Sequence, residues 1–142
     1  MRLTRRYRFA ASHRLYSPKL SEEENRELYG KCANPHGHGH NYLLEVSVRG
    51  PVDSETGMMV DTAKLDALVR EQVVDPFDHA NLNTQFAVFI EIVPTTENVS
   101  VEIRNRLASK WEGAFPDGTP RLEKIRLYET RKNIFELSGE SQ

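Results

Sequence analysis

From Leu3 to His13 the chain alternates: Leu3, Arg5, Tyr7, Phe9, Ala11 and His13 hold one parity, and Thr4, Arg6, Arg8, Ala10 and Ser12 the other. A period of two with most large apolar groups on one side predicts a strand. This one ends in a histidine. Residues 14–37 contain Pro18, the acidic run SEEEN, Gly30, Pro35 and Gly37, which predicts a long loop carrying a helical turn near Glu22 to Leu28. From His38 to Val48 the even positions are His38, His40, Tyr42, Leu44, Val46 and Val48, while Asn41, Glu45, Ser47 and Arg49 fall on the odd side. It is the clearest half-buried strand in the chain.

After the turn-rich GPVDSETG at 50–57, Asp61 or Thr62 can cap a helix with Leu65, Leu68, Val69 and Val73 on one face; Pro76 argues against its continuing. A second helix starts after Thr95 or Thr96 and reaches about Trp111, with Val99, Ile103, Leu107 and Trp111 spaced four apart and Thr96 available as an acceptor for a first-turn N–H. Two short strands follow FPDGTP, at about 122–129 and 133–137, joined through ETRKN. The order strand, strand, helix, helix, strand, strand predicts an α+β fold: a four-stranded antiparallel sheet with two helices on one face. Such a small sheet leaves edges to protect, which points to oligomerisation by edge pairing.

Composition narrows the function classes. The 142 residues suit a single domain spanning 1–142, and a net charge of -2, from 19 Lys plus Arg against 21 Asp plus Glu, offers no basic footprint for nucleic acid or an acidic membrane. No apolar run is long enough to span a bilayer, and MRLTRRYRF lacks the apolar segment of a signal peptide, so a reducing cytoplasm is expected. Cys32 stands alone, which excludes an internal disulfide and leaves a small buried residue, a reactive thiol or a metal ligand.

The histidines carry the chemistry. His38 and His40 share one strand parity with a glycine between them, and His13 extends the apolar parity of the first strand. If the strands lie together, their apolar face ends in three imidazoles, a donor set suited to Zn²⁺ with a fourth position open to water or substrate. Hydrogen-bonded strand-end histidines are the plain alternative, and His36 competes as a ligand because His36 and His38 have the same spacing. Cys32 is either a fourth ligand that would close the site, a thiol activated by nearby positive charge, or inert.

Asp78 can orient His79 as a proton shuttle, although neighbours in sequence need not face each other. Glu97 lies where a carboxylate complements a helix dipole. Glu129 continues the apolar parity of Ile125 and Leu127, and a buried carboxylate needs a donor: an internal arginine, or a heterocycle with an amidine-like N–H pair. Phosphate loops, dinucleotide fingerprints, His-Glu-x-x-His helices and paired zinc-finger cysteines are all missing, so nucleotide-driven chemistry has no support.

These segments together resemble the 6-pyruvoyl-tetrahydropterin synthase and 6-carboxytetrahydropterin synthase family of the tunnelling fold. The resemblance runs in order through FAASHRLYS at 9–17, YGKCANPHGHGHNY at 29–42, ETGMMVD at 55–61, DPFDHANLN at 75–83, PTTENV at 94–99 and LYET at 127–130. It implies that His13, His38 and His40 bind zinc, that Cys32 is the catalytic cysteine, that Asp78 and His79 form a relay, and that Glu129 anchors a pterin. Thr95, Thr96 and Glu97 match the segment that helps enclose it. The family also implies a homohexamer of two stacked trimers, with active sites between subunits where Cys32 meets Asp78 and His79.

The implied reaction converts 7,8-dihydroneopterin triphosphate to 6-pyruvoyl-tetrahydropterin and triphosphate, as a lyase that needs no nicotinamide; Arg14, Lys19 and Lys31 are candidate phosphate partners. A second branch of the family makes 6-carboxy-5,6,7,8-tetrahydropterin and acetaldehyde from the same substrate, on the route to deazaguanine nucleosides. Residues 33–37 separate Cys32 from His38-Gly39-His40, a spacing that resembles the pyruvoyl branch, whereas Cys32 to His36-Gly37-His38 matches the shorter spacing of the carboxy branch. A zinc-containing protein that binds a pterin without turnover is the non-enzymatic alternative.

Overall fold

The computed structural model describes residues 1–140. Strands β1 (Arg2–His13) and β2 (His38–Arg49) pair antiparallel along their whole length, from Arg2 opposite Arg49 to His13 opposite His38. Strand β4 (Arg121–Tyr128) adds antiparallel to β2 with a bulge at Ser47/Val48, and β5 (Ile134–Ser138) adds to β4.

The expected four-stranded antiparallel sheet is corrected by a fifth strand. β3 (Ala80–Asn81) runs parallel to β1, pairing Ala80 with Ala11 and Asn81 with Ser12, so the sheet is mixed, in the order β3-β1-β2-β4-β5. Two residues cannot display an alternation, and this strand exists only because β1 offers a free edge.

The two-helix expectation is corrected as well. Besides the two long helical stretches there is α1 (Glu22–Tyr29), where only a turn was expected, and two single-turn helices, α3 (Leu82–Gln85) and α4 (Val88–Glu91). A capping box starts α1: Ser21 Oγ accepts from Glu24 N, and the Glu24 carboxylate accepts from Ser21 N. The S-x-x-E spelling of that box stands within the acidic run.

Asp61 caps α2 (Thr62–Val69), accepting from Ala63 N and Lys64 N. Pro76 does not stop the helical path. One π turn (Arg70–Val74) intervenes, Asp75 N–H donates to Arg70 O, and a last turn (Asp75–Phe77) holds the proline near its start. Proline lacks an N–H and crowds the preceding turn, and the wider turn relieves both constraints. The long helix α5 (Thr96–Ala114) is capped by Thr95, whose hydroxyl accepts from Asn98 N; Thr96 has a different partner, described below. Caps of this kind stabilise a helix by about 1 kcal/mol each.

The core is the even face of β2 with its register partners. Leu44, Val46, Val48, Ile125 and Leu127 from the sheet pack under Leu65 and Val69 of α2, Val73 of the π turn, and Val99, Ile103 and Leu107 of α5, all fully buried. The opposite sheet face is polar. There the buried Glu45 accepts from Arg6 Nε at 2.9 Å and Tyr128 Oη at 3.0 Å, so its charge is not left unpaired. Among the described residues no helix is long and apolar enough to cross a membrane.

Candidate active site

Where the apolar face reaches the end of β1 and the start of β2, it turns polar. His13 stands opposite His38 and Ala11 opposite His40, and paired residues share a face, so all three imidazoles emerge together. Their ring nitrogens lie within 4.8 Å of one another, with His13 Nε2 3.1 Å from His38 Nε2. Cys32 and His36 fall outside this group, and His36 is exposed. That resolves the competition between the two His-x-His readings in favour of His38 and His40.

Each ring is held. His13 Nδ1 lies 2.8 Å from Pro94 O, and since a carbonyl only accepts, that nitrogen carries the hydrogen and Nε2 keeps its lone pair. Gly37 lets the chain reach β2 at all: its φ is +67°, and a Cβ there would stand 2.8 Å from the His13 carbonyl oxygen. Burial pushes His13 down to about 4 from the usual 6.5, with the Pro94 carbonyl opposing and the other two imidazoles reinforcing the shift. His40 is lowered too, mainly by burial, with the Glu129 charge opposing. Neutral imidazoles are what a cation requires.

The donor set fits Zn²⁺. His40 Nε2 is buried with no hydrogen-bond partner, an arrangement that costs free energy unless something takes its lone pair. Three imidazole nitrogens on two adjacent strands are a set of ligands that leaves room for a further one.

Beside the imidazoles, Glu129 stands one residue past β4. Its N–H donates to Asn133 O at 3.1 Å, and its carboxylate accepts from the hydroxyl of the buried Thr96. No arginine neutralises Glu129 among the described residues. Thr96 is thus committed to Glu129 while Thr95 does the capping, the reverse of the assignment its sequence position suggested. Glu97 is exposed in the first turn of α5, where it meets the helix dipole.

Cys32 lies in a 3₁₀ turn (Gly30–Ala33) after α1, and its carbonyl accepts from Leu15 N at 2.7 Å, tying that turn to the end of β1. The thiol is half-buried. Burial raises its pKa and the Glu129 charge raises it further, with no cation among the described residues opposing the shift.

Asp78 and His79 are together but elsewhere. Asp78 Oδ1 accepts from Ala10 N at 2.8 Å, His79 N–H donates to Ala10 O at 2.5 Å, and His79 Nε2 is 3.6 Å from Asp78 Oδ2. His79 holds a φ of 59°, a conformation uncommon outside glycine, and its side chain is 86% exposed. It lines a cavity of about 300 Å³ with Ala10, Ser12, Asn41 and His40, one of the three imidazoles. Within one chain the pair is not joined to Cys32.

One polar group here escaped the sequence reading. Tyr42 passes for a core position in the alternation, yet its phenol sits by Thr96, Glu129 and Cys32 with no hydrogen-bond partner, and burial raises its pKa. Its place two residues beyond His40 on the histidine parity was the available signal.

A profile of the 6-pyruvoyl tetrahydropterin synthase family matches residues 2–140. The chain belongs to this family. The 6-pyruvoyl tetrahydrobiopterin synthase of Homo sapiens is 46% identical over 138 residues, covering 97% of this chain and 91% of that protein. The 6-pyruvoyl tetrahydropterin synthase structure from Caenorhabditis elegans superposes with a TM-score of 0.87 at 41% identity, covering 99% of this chain and 96% of the other. The 6-carboxy-5,6,7,8-tetrahydropterin synthase of Rickettsia typhi is 25% identical over 152 aligned positions, covering 96% of this chain and 99% of that protein. Family membership and the tunnelling fold make this a pterin-processing enzyme, with a cluster of imidazoles that could hold a metal ion.

Proposed function

We propose that this chain is a zinc-dependent 6-pyruvoyl-tetrahydropterin synthase that converts 7,8-dihydroneopterin triphosphate to 6-pyruvoyl-tetrahydropterin and triphosphate. The observation that carries the reading is the three-imidazole cluster, with His13 buried and His40 Nε2 orphaned, beside a carboxylate that no arginine neutralises among the described residues. His13, His38 and His40 would hold Zn²⁺, which supplies a Lewis acid that polarises oxygens of the substrate side chain as protons leave carbon.

The other residues bind, orient and move protons. Glu129, steadied by Thr96, accepts paired hydrogen bonds from the 2-amino group and adjacent ring N–H of the pterin, fixing the ring relative to the imidazoles. Thr95 and Glu97 belong to the segment that encloses it. Cys32 removes a proton from a side-chain carbon. Its thiol lies above its ordinary range in the isolated chain, so it needs a cationic neighbour from outside its own surroundings. The Asp78–His79 pair of an adjacent subunit answers that need, and its exposure at the sheet edge supports the assembly as a homohexamer of two stacked trimers. Hydrogen lost from the side chain is balanced by reduction of the ring, so no nicotinamide is involved.

The pyruvoyl product is favoured over the carboxy product by the register of the site. The imidazole pair is His38 and His40, with residues 33–37 between it and Cys32, the longer spacing. Mass spectrometry of the zinc-loaded protein given 7,8-dihydroneopterin triphosphate without nucleotide or reductant tests the proposal. A pyruvoyl-tetrahydropterin mass with released triphosphate is expected; carboxytetrahydropterin with acetaldehyde would replace that product, and substrate recovered intact would leave a binding protein.

A further inference from the structure

The short segment ahead of α5 serves two parts of the site at once. Pro94 O accepts from His13 Nδ1 at 2.8 Å, and two residues later the Thr96 hydroxyl donates to the Glu129 carboxylate. Residues 93–95 belong to no helix or strand, so their neighbours must fix the aim of that carbonyl. Pro94 is buried and, as a proline, has no N–H with which to anchor itself. The segment is closed at the Val93 carbonyl, which accepts twice: from Thr95 N at 2.8 Å and from Asn98 Nδ2 at 2.8 Å.

The residue type at position 98 is informative. With Thr95 as the cap, Asn98 is the third residue of α5, where Glu or Gln would close a capping box and a carboxylate would also complement the helix dipole. Glu24 does this in α1. Asn98 works in the opposite sense. The Thr95 N–H is already taken by Val93 O, and a carbonyl only accepts, so the side-chain atom that faces it has to be a donor. A carboxylate, the better choice for the helix, would bring no hydrogen to that carbonyl. Asparagine is also the weaker helix former, and its amide is used on chain that lies outside the helix.

We propose that Asn98 is a positioning residue for the metal centre: its amide clips Val93, holds the Pro94 carbonyl on His13 Nδ1, and so keeps His13 Nε2 turned toward His38 and His40. The inference rests on the metal reading above and adds a residue to it. A metal-binding imidazole keeps one tautomer and one ring orientation when its second nitrogen is fixed. Here the fixing group is a main-chain carbonyl, and the side chain that aims it sits on α5. Because Thr96 reaches Glu129 from the same segment, the clip also sets the carboxylate against the imidazoles.

The test is zinc titration of the full chain and its Asn98→Asp and Asn98→Ala variants in competition with a chromophoric chelator, together with the visible spectrum of each protein loaded with Co²⁺. We expect both variants to bind zinc about tenfold more weakly, with the d–d bands of the cobalt form shifted by the altered setting of His13. A role confined to the helix makes a different forecast: the Asp variant keeps or gains thermal stability, and neither variant changes zinc affinity or spectrum. That result would overturn the proposal and leave the metal reading intact. Weakening in only one of the two variants would overturn it as well, because the lost donor is common to both. Failure of the unmodified protein to bind zinc would remove the metal reading and this inference together. Should the variants not fold, a crystal structure of the zinc-loaded unmodified protein decides: Pro94 O about 3 Å or less from His13 Nδ1, with Asn98 Nδ2 on Val93 O, supports the proposal, and a Pro94 carbonyl turned away from the ring refutes it.

Discussion

His13 and His38 are directly opposed on neighbouring strands, and their Nε2 atoms approach to 3.1 Å. Two imidazole nitrogens gain little from facing each other so closely unless a proton or a cation lies between them. The full antiparallel register of β1 and β2 imposes this approach, so the cluster is built into the sheet rather than into a mobile loop.

Replacing one member should therefore remove the metal without unfolding the sheet. For His38→Ala we expect zinc bound at less than a tenth of the unmodified stoichiometry by elemental analysis, on the order of the affinity lost with a ligand, with the far-ultraviolet circular dichroism preserved. Undiminished zinc would move the ligand role elsewhere, with His36 the first candidate.

Acid should weaken the metal-free protein through the same residues. His13 is pushed down to about 4 in the fold against an ordinary 6.5, and His40 moves in the same direction. Between those values the unfolded chain binds the proton and the folded one does not, so stability is fully present above about 6.5 and falls as pH drops toward 4. The loss from His13 alone should be on the order of 3 kcal/mol. Urea melts of metal-free protein at pH 7 and pH 4.5 check it, and His13→Gln should flatten the dependence in that window.

Cys32 and His79 should complement each other across subunits. Cys32→Ala and His79→Ala are each expected to cut turnover by about 100-fold or more while retaining zinc and pterin binding. Unfolding the two variants together and refolding them should restore activity, to roughly a quarter of the unmodified level if subunits mix at random. A mixture as inactive as its components would show that the two groups do not combine across an interface.

Gly37 should tolerate no side chain. Its positive φ and the 2.8 Å approach of a Cβ to the His13 carbonyl mean that Gly37→Ala must shift either β1 or the entry to β2. We expect a loss of about 1–3 kcal/mol in stability, with zinc affinity lowered in competition with a chromophoric chelator. An unchanged melting temperature together with unchanged zinc affinity would contradict this account of the turn.

Much of this architecture is legible in one dimension, because alternation and helical spacing are local properties. The parity of His13, His38, His40 and Glu129 could be read directly, and parity decides which face a side chain takes on any strand. Capping signals are equally local, and the box at Ser21 and Glu24 is spelled out inside an acidic run that otherwise reads as loop. What the sequence could not determine depends on pairing partners. β3 is two residues long and owes its existence to the free edge of β1. Thr96 caps nothing because Thr95 holds the N-cap position, and its hydroxyl instead donates to Glu129, distant in the chain. Whether His36 or His40 joins the cluster was undecidable from spacing, since both fit a His-x-His pattern, and the β1–β2 register chose between them.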